Sequence, residues 1–202
     1  MPLVCVPPAR WERWCDNFER GHGATTYDVV DGGLTGTAAD GSSFAARLPF
    51  GLAYEGPADP GDLARAVTTP DDWGVLLVRK GGFAMARLAG VTMGESKTGQ
   101  RHVQGRTKAG GQSQQRFARR RDNQARQAYE AAAEHAARIL GGCTGPVITG
   151  GDRPAVEEVL ADARLRDLVV AAPWLAVPDP RRRVLEQAVE DASAVQVGVV
   201  NA

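Results

Sequence analysis

Apolar side chains recur at three- and four-residue steps near the start of the chain. Within residues 8–20 this stripe comprises Trp11, Trp14, Cys15 and Phe18. The spacing predicts a short amphipathic helix whose aromatic face is buried. Three short β-prone runs follow, at residues 25–30, 34–38 and 43–48, and Asp-Gly turn signals separate them. Together they predict a small β meander after the helix.

Proline and glycine punctuate residues 55–61, which predicts a linker and a domain boundary near residue 70. We therefore expect a small N-terminal unit at residues 1–70 and a larger domain at residues 71–202. Two apolar runs, 73–78 and 83–88, are joined across a Lys-Gly-Gly turn and predict a hairpin of core strands. A further strand is expected at 101–106, whereas residues 98–99 and 107–111 have no apolar periodicity and predict exposed loops.

A long helix is predicted from Ser113, as its cap, to about Leu140, where a Gly-Gly pair ends it. Its apolar stripe is Phe117, Ala125, Ala128, Tyr129, Ala132, Ala136 and Leu140. The remaining pattern predicts a buried strand at 146–149, a helix at 154–161, a strand or helix end at 168–171, and a final helix at 181–192. The larger domain is thus expected to be α/β, with a mixed β-sheet flanked by helices.

Composition narrows the class of protein. Hydrophobic residues at 43% and charged residues at 24% lie near the averages of globular proteins, which excludes a fibrous repeat or wholesale disorder. No apolar run reaches the roughly 18 residues of a membrane span, and the first residues show no signal-peptide core. We expect a cytoplasmic monomer without membrane contact. Three cysteines without C-x-x-C spacing and three scattered histidines predict neither disulfides nor a metal site.

The formal net charge is zero, but the charges are segregated. Residues 97–126 contain nine basic residues and one acidic residue, a balance of +8, so the rest of the chain carries −8. A basic block on an acidic body concentrates positive potential in one place. Such a segment is typical of a surface that meets nucleic-acid phosphates.

This basic block contains a Gly-Gly-Gln tripeptide at 110–112, which by itself is a weak signal. Its surroundings are specific. The stretch Gly-Gly-Gln-Ser-Gln-Gln-Arg-Phe-Ala-Arg-Arg-Arg at 110–121 closely resembles the catalytic-loop signature of eukaryotic and archaeal class I peptide-chain release factors. The resemblance extends more loosely over residues 73–193 and implies a fold like the release-factor catalytic domain.

The resemblance implies that Gln112 reaches the ester that joins a nascent peptide to the terminal adenosine of its tRNA, and that Gly110 and Gly111 let the loop fit. The chemistry suits these residues, because a neutral amide and a backbone N–H can orient water and stabilise an oxyanion without adding charge. Glycines without a Cβ allow close approach to RNA. No cofactor is implied, since ribosomal RNA would supply most of the site. The implied RNA-binding residues are Arg106, Lys108, Ser113, Arg116, Arg119, Arg120 and Arg121.

The chain departs from termination factors of this type. Residues 1–70 contain no Asn-Ile-Lys-Ser element of the kind that reads stop codons, and we expect no domain for a GTPase partner. In this respect the chain resembles the release-factor-like peptidyl-tRNA hydrolases of ribosome quality control. The implied activity is codon-independent hydrolysis on stalled ribosomes or large subunits. The implied partners are the large ribosomal subunit, ribosomal RNA and peptidyl-tRNA.

Two other classes of function fit parts of the pattern. An RNA-binding nuclease that cleaves tRNA would need clustered carboxylates for magnesium, for which Asp71, Asp72 and Asp152 are candidates. Capping is the competing interpretation of these carboxylates, because they stand near the predicted starts of elements. A non-catalytic ribosome-binding adaptor would keep the basic block and make Gln112 dispensable.

Overall fold

The computed structural model describes residues 3–100 and 112–202, and within the long helix it describes side chains from residue 126 onwards. The helices are α1 (Pro8–His22), α2 (Pro60–Ala66), α3 (Gln112–Leu140), α4 (Arg153–Leu160) and α5 (Arg182–Ala192). The strands are β1 (Leu3–Val6), β2 (Thr25–Val30), β3 (Gly33–Ala38), β4 (Ser43–Arg47), β5 (Trp73–Arg79), β6 (Gly82–Ala89), β7 (Thr92–Gln100), β8 (Pro146–Gly151), β9 (Val169–Leu175) and β10 (Val195–Val200). They form two five-stranded sheets, β1-β10-β4-β3-β2 and β7-β6-β5-β8-β9, which confirms the α/β class.

The chain groups into two compact units. The first comprises Met1–Thr69, Ala171–Pro173 and Val189–Ala202, and the second comprises Pro70–Val170 and Trp174–Ala188. The last segment therefore belongs with the first unit, although the sequence pattern assigns it to the second. The reason is β10, which pairs antiparallel with β1 and β4. The apolar composition of β10 predicts a buried strand but does not indicate which strands it pairs with.

The first unit contains the predicted helix and meander. Helix α1 buries Trp11, Cys15 and Phe18 against β3 and β4 residues such as Phe44. Burial raises the pKa of the Cys15 thiol to about 12, so this group packs as an apolar side chain. The β2–β3 turn has positive φ at both central residues, Asp31 (50°) and Gly32 (69°), as a tight hairpin turn requires.

A helix replaces part of the predicted linker. Asp59 caps α2, because its side-chain Oδ1 accepts a hydrogen bond from the Asp62 N–H at 2.9 Å, and Pro60 occupies the first turn. Leu63 is fully buried, and the Pro60 carbonyl accepts a bond from the Trp11 indole N–H at 2.9 Å. Helix α2 was missed because only one turn of apolar residues signals it.

The second sheet is mixed. Strand β5 lies at its centre, antiparallel to β6 and parallel to β8, and its first six residues are all buried. Such a continuous apolar run is expected for a strand that is covered on both faces. Helices α3 and α4 contribute alanine and valine side chains to the core over this sheet. The predicted hairpin, the 146–149 strand and the helices near 154–161 and 181–192 are confirmed.

The edge strand β7 corrects one prediction. Thr98 and Gly99 were expected in an exposed loop, yet both lie in β7, which pairs antiparallel with β6. The strand is polar because it lies at the sheet edge, so it shows no apolar alternation. The strand expected at 101–106 falls outside the described residues. None of the helices in the described ranges is long and apolar enough to cross a membrane.

Candidate peptide-release site

The segment that carries the predicted catalytic residues connects β7 to α3. Strand β7 ends at Gln100, beside Gly82 of β6, and α3 begins at Gln112. Gly110, Gly111, Arg106 and Lys108 lie between these two points, in residues 101–111, outside the described residues. The described structure therefore fixes where the segment starts and where it ends.

Gln112 is the first residue of α3. The pattern predicts Ser113 as the helix cap, whereas the helix already includes Ser113 as its second residue. Serine favours caps but is also accepted within a helix, so the one-residue difference costs little. At the first helical position the backbone N–H of Gln112 is one of the four that have no acceptor within the helix. The positive end of the helix dipole lies at the same point.

The basic residues Arg116, Arg119, Arg120 and Arg121 all occupy the first three turns of α3. The 3.6-residue period places positions 112, 116 and 119 along one face of the helix. A rise of 1.5 Å per residue separates Gln112 from Ala128, the first described buried residue of α3, by about 24 Å. Gln112 thus lies more than four helical turns before the first described buried residue of α3.

The C-terminal half of α3 is anchored in the core of the second unit. Ala132, Ala136 and Leu140 are fully buried and share a cluster with Leu76 and Met85 of the sheet. The small alanine side chains at 132 and 136 let the helix backbone approach the sheet closely. The helix ends at Leu140, as predicted, and Gly142 follows with φ +76°, the left-handed conformation that commonly ends a helix.

Polar contacts attach β7 to neighbouring helices. Arg138 of α3 forms an ion pair with Glu95, and the Arg182 guanidinium of α5 donates to the Ser96 hydroxyl at 3.0 Å. The partners of the Arg138–Glu95 pair are about half exposed, so the pair orients the strand more than it stabilises the fold. These contacts hold the strand that leads into residue 101.

A carboxylate clamp closes the opposite end of the sheet. Asp72 accepts hydrogen bonds from Arg87 Nε (2.7 Å) and Nη2 (2.9 Å), and from Thr144 N (2.7 Å) and Oγ1 (2.9 Å). Arg87 also donates to the Gly142 carbonyl at 3.1 Å. The Arg87 guanidinium, and after it Thr144, holds the pKa of the Asp72 carboxyl well below its usual range. The clamp ties the end of α3 to β5 and β6.

The carboxylates considered for a nuclease are not assembled around a cation. Asp72 is engaged in the clamp, and Asp152 accepts from the Lys80 N–H at 3.1 Å and lies 3.4 Å from Arg79 Nε. Asp152 precedes α4 without capping it through its side chain, so the capping interpretation is also wrong there. In residues 3–100 and the described part of 112–202, no three His, Cys, Asp or Glu side chains are placed to hold a metal ion.

A mixed sheet with an antiparallel edge that leads through a Gly-Gly-Gln segment into a long basic helix is consistent with a release-factor-like α/β domain. The family model of the Actinobacteria/chloroflexi VLRF1 release factor, acVLRF1, matches residues 71–198, and the chain belongs to this family. Membership implies a ribosome-associated function in peptide release or ribosome rescue. A comparison with curated proteins gives no match.

Proposed function

We propose that this protein is a codon-independent peptidyl-tRNA hydrolase that releases nascent chains from stalled ribosomes or large subunits. The observation that carries the proposal is the position of Gly-Gly-Gln directly at the start of α3, within the residues that match a release-factor family. Its partners are the large subunit, ribosomal RNA and peptidyl-tRNA in the cytoplasm. The absence of an Asn-Ile-Lys-Ser element from residues 1–70 supports codon independence.

In the proposed reaction, a water molecule oriented by the Gln112 amide attacks the carbonyl carbon of the peptidyl ester. The bond from this carbon to the ribose oxygen of the terminal adenosine breaks, and a proton from water ends on that ribose oxygen. The peptide leaves as a carboxylate, and the second proton of the water passes to solvent. Negative charge develops on the carbonyl oxygen during the attack, and the backbone N–H of Gln112, which has no acceptor within α3, is suited to stabilise it.

The arginines of α3 have a separate role in the proposal. Arg116, Arg119, Arg120 and Arg121, with Arg106, Lys108 and Ser113, bind RNA phosphates and hydroxyls beside the peptidyl-tRNA end. Arginine is suited to this because its planar guanidinium bonds phosphate oxygens in a fixed fork. Because Gly110 and Gly111 have no Cβ, the segment is slim enough to reach the ester between RNA surfaces, and a side chain at either position would obstruct it.

The proposal is tested by adding purified protein to large subunits that carry peptidyl-tRNA labelled on both peptide and tRNA. We expect free peptide together with full-length tRNA. Shortened tRNA would instead support the nuclease, and binding without release of either product would support the adaptor. Repeating the assay on intact ribosomes with different A-site codons should give equal rates, and a rate that follows the codon would contradict codon independence.

A further inference from the structure

Basic side chains collect at one end of the second sheet, on elements outside the Gly-Gly-Gln segment. Strand β5 ends at this end, β6 begins there, and the pairings Gly82↔Gln100 and Val78↔Gly151 show that β7 and β8 end there too. The exposed basic residues are Lys80 in the β5–β6 turn, Lys97 in β7, and Arg181, Arg182 and Arg183 at the start of α5. We call these five residues the basic rim.

Direct contacts bring the start of α5 to this end of the sheet. Arg182 bonds Ser96 of the edge strand β7 at 3.0 Å, and Lys97, the next residue of β7, projects from the other face of that strand. The Val177 carbonyl, five residues before α5, accepts from Arg79 Nη1 at 3.1 Å. Nearby, Asp179 lies 3.8 Å from the position of a β-carbon at Gly81, next to Lys80. Lys80 and the arginines at the start of α5 therefore lie near one another, and Lys97 lies on the edge strand beside them.

Most of the rim charge is not neutralised by the described residues. Arg182 pairs with Glu186 at 2.7 Å. Lys80, Lys97, Arg181 and Arg183 form no ion pair with a described side chain. The nearby carboxylates include Asp179, which is exposed, Asp152, which faces Arg79, and Glu95 of β7, which pairs with Arg138. The rim carries five positive charges, and Glu186 and Asp179 supply two negative charges, so an excess of positive charge remains.

The position of the three arginines is unfavourable for folding. The Arg181 carbonyl accepts the Leu185 N–H at 2.9 Å, so Arg181 caps α5 and the next two arginines occupy its first turn. This is the positive end of the helix dipole, where cations are destabilising and anions are favoured. Helix packing does not require them either, because the buried face of α5 consists of Leu185, Ala188 and Ala192. An anionic partner would account for charges that neither packing nor capping explains.

The described part of α3 also passes near this end of the sheet. Tyr129 of α3 packs against the core cluster that contains Val78 and Phe83, which lie at this end of β5 and β6. From Tyr129, α3 extends for about 26 Å towards Gln112. A nucleic acid that follows the arginines of α3 would reach the rim at the base of the helix.

We propose that the basic rim is a second RNA-binding surface, which holds the phosphate backbone of ribosomal RNA at the base of α3. The choice of ribosomal RNA rests on the proposed function, whereas phosphate binding rests on the charge and geometry of the rim. The rim would set the angle at which α3 is presented, in the way that phosphate contacts position a protein on a nucleic acid without reading its sequence.

The test compares two double variants that remove equal charge. Arg181→Gln with Arg183→Gln alters the rim, and Arg10→Gln with Arg13→Gln alters two exposed arginines in the first turns of α1. Affinity for purified large subunits and for a 20-base-pair RNA duplex is measured between 50 and 200 mM KCl, and circular dichroism checks the fold. The rim variant should bind roughly tenfold more weakly at 100 mM KCl, and its salt slope should fall by about 1.8, since each lost phosphate contact removes about 0.9.

Equal affinities and slopes for the rim and control variants would overturn the inference. If the rim variant loses its fold, Lys80→Gln with Lys97→Gln replaces it, with the same expectation. The inference would also be overturned if the rim variant kept its affinity for RNA but lost affinity for a polyglutamate peptide. The rim would then be a binding surface for an acidic protein. Gln112→Ala should bind both RNAs as tightly as the parent. The binding measurements can therefore contradict the rim inference without bearing on the hydrolase proposal, because only a release assay tests hydrolysis.

Discussion

Removing the Asp72 carboxylate should destabilise the second unit while leaving the first unit folded. In Asp72→Ala, two Arg87 donors and two Thr144 donors lose their acceptor at once. Hydrogen bonds to charged groups contribute about 1.5–3 kcal/mol each. The four cannot simply be added, because they share one carboxylate and water reaches the side chains, which are 26% exposed for Asp72 and 37% for Arg87. We expect a loss of about 2–3 kcal/mol in the free energy of unfolding.

The pH dependence of this effect has a defined sign. The folded-state pKa of Asp72 is lowered, so its contribution is fully present above the unfolded value of about 3.9 and is lost as pH falls towards the folded value. The stability difference between parent and Asp72→Ala should therefore be constant from pH 5 to 7 and shrink below about pH 4.

Urea unfolding followed by Trp73 and Trp174 fluorescence in single-tryptophan backgrounds reports on the second unit. The matched control is Asp71→Ala, which removes the same charge from the adjacent exposed position and should change stability by less than about 0.5 kcal/mol. If Asp71→Ala and Asp72→Ala shifted the urea midpoint equally, the change in the net charge of the protein would explain the effect. The clamp would then have no specific role in anchoring α3.

Three further predictions concern glycines. A Cβ at Gly145 would overlap the backbone carbonyl oxygen of Asp72, so Gly145→Ala should destabilise the protein by at least about 1–3 kcal/mol. A Cβ at Gly21 in α1 meets nothing within 4 Å, so Gly21→Ala should stabilise the protein by up to about 0.5–1 kcal/mol. A higher melting temperature for Gly145→Ala than for Gly21→Ala would contradict the packing described around these two glycines. Gly111→Ala should lower peptide release with unchanged melting temperature, whereas full activity would show that the segment enters no confined site.

Strong periodic patterns predicted most of the fold. The α1 stripe of Trp11 and Phe18, and the described part of the α3 stripe from Ala128 to Leu140, each bury one helix face, so local sequence and tertiary packing agree there. Elements with weak or ambiguous patterns were missed. Strand β7 carries polar side chains because it lies at the sheet edge, and β10 joins the sheet of the first unit through backbone pairing that composition does not encode.

The candidate site was predictable only where its chemistry is contiguous in sequence. Gln112 and its arginines stand together in one segment, so their motif could be identified without a structure. In the clamp, Asp72 bonds Arg87, which is 15 positions away in the sequence, and Thr144, which is 72 positions away. The basic rim joins Lys80 to Arg181 across about a hundred residues. Only the folded sheet brings such groups together, because no local periodicity relates them.

The most direct test of the central claim is single-turnover peptide release by Gln112→Ala and by Gln114→Ala, a matched change two residues further along α3. Losing one transition-state contact costs about 100- to 1000-fold in rate, and the retained backbone N–H places Gln112→Ala near the lower limit, at about 100-fold. Gln114→Ala should release peptide within about twofold of the parent, and both variants should bind large subunits normally. Parental release by Gln112→Ala, with binding unchanged, would contradict the assignment of Gln112 as the catalytic residue.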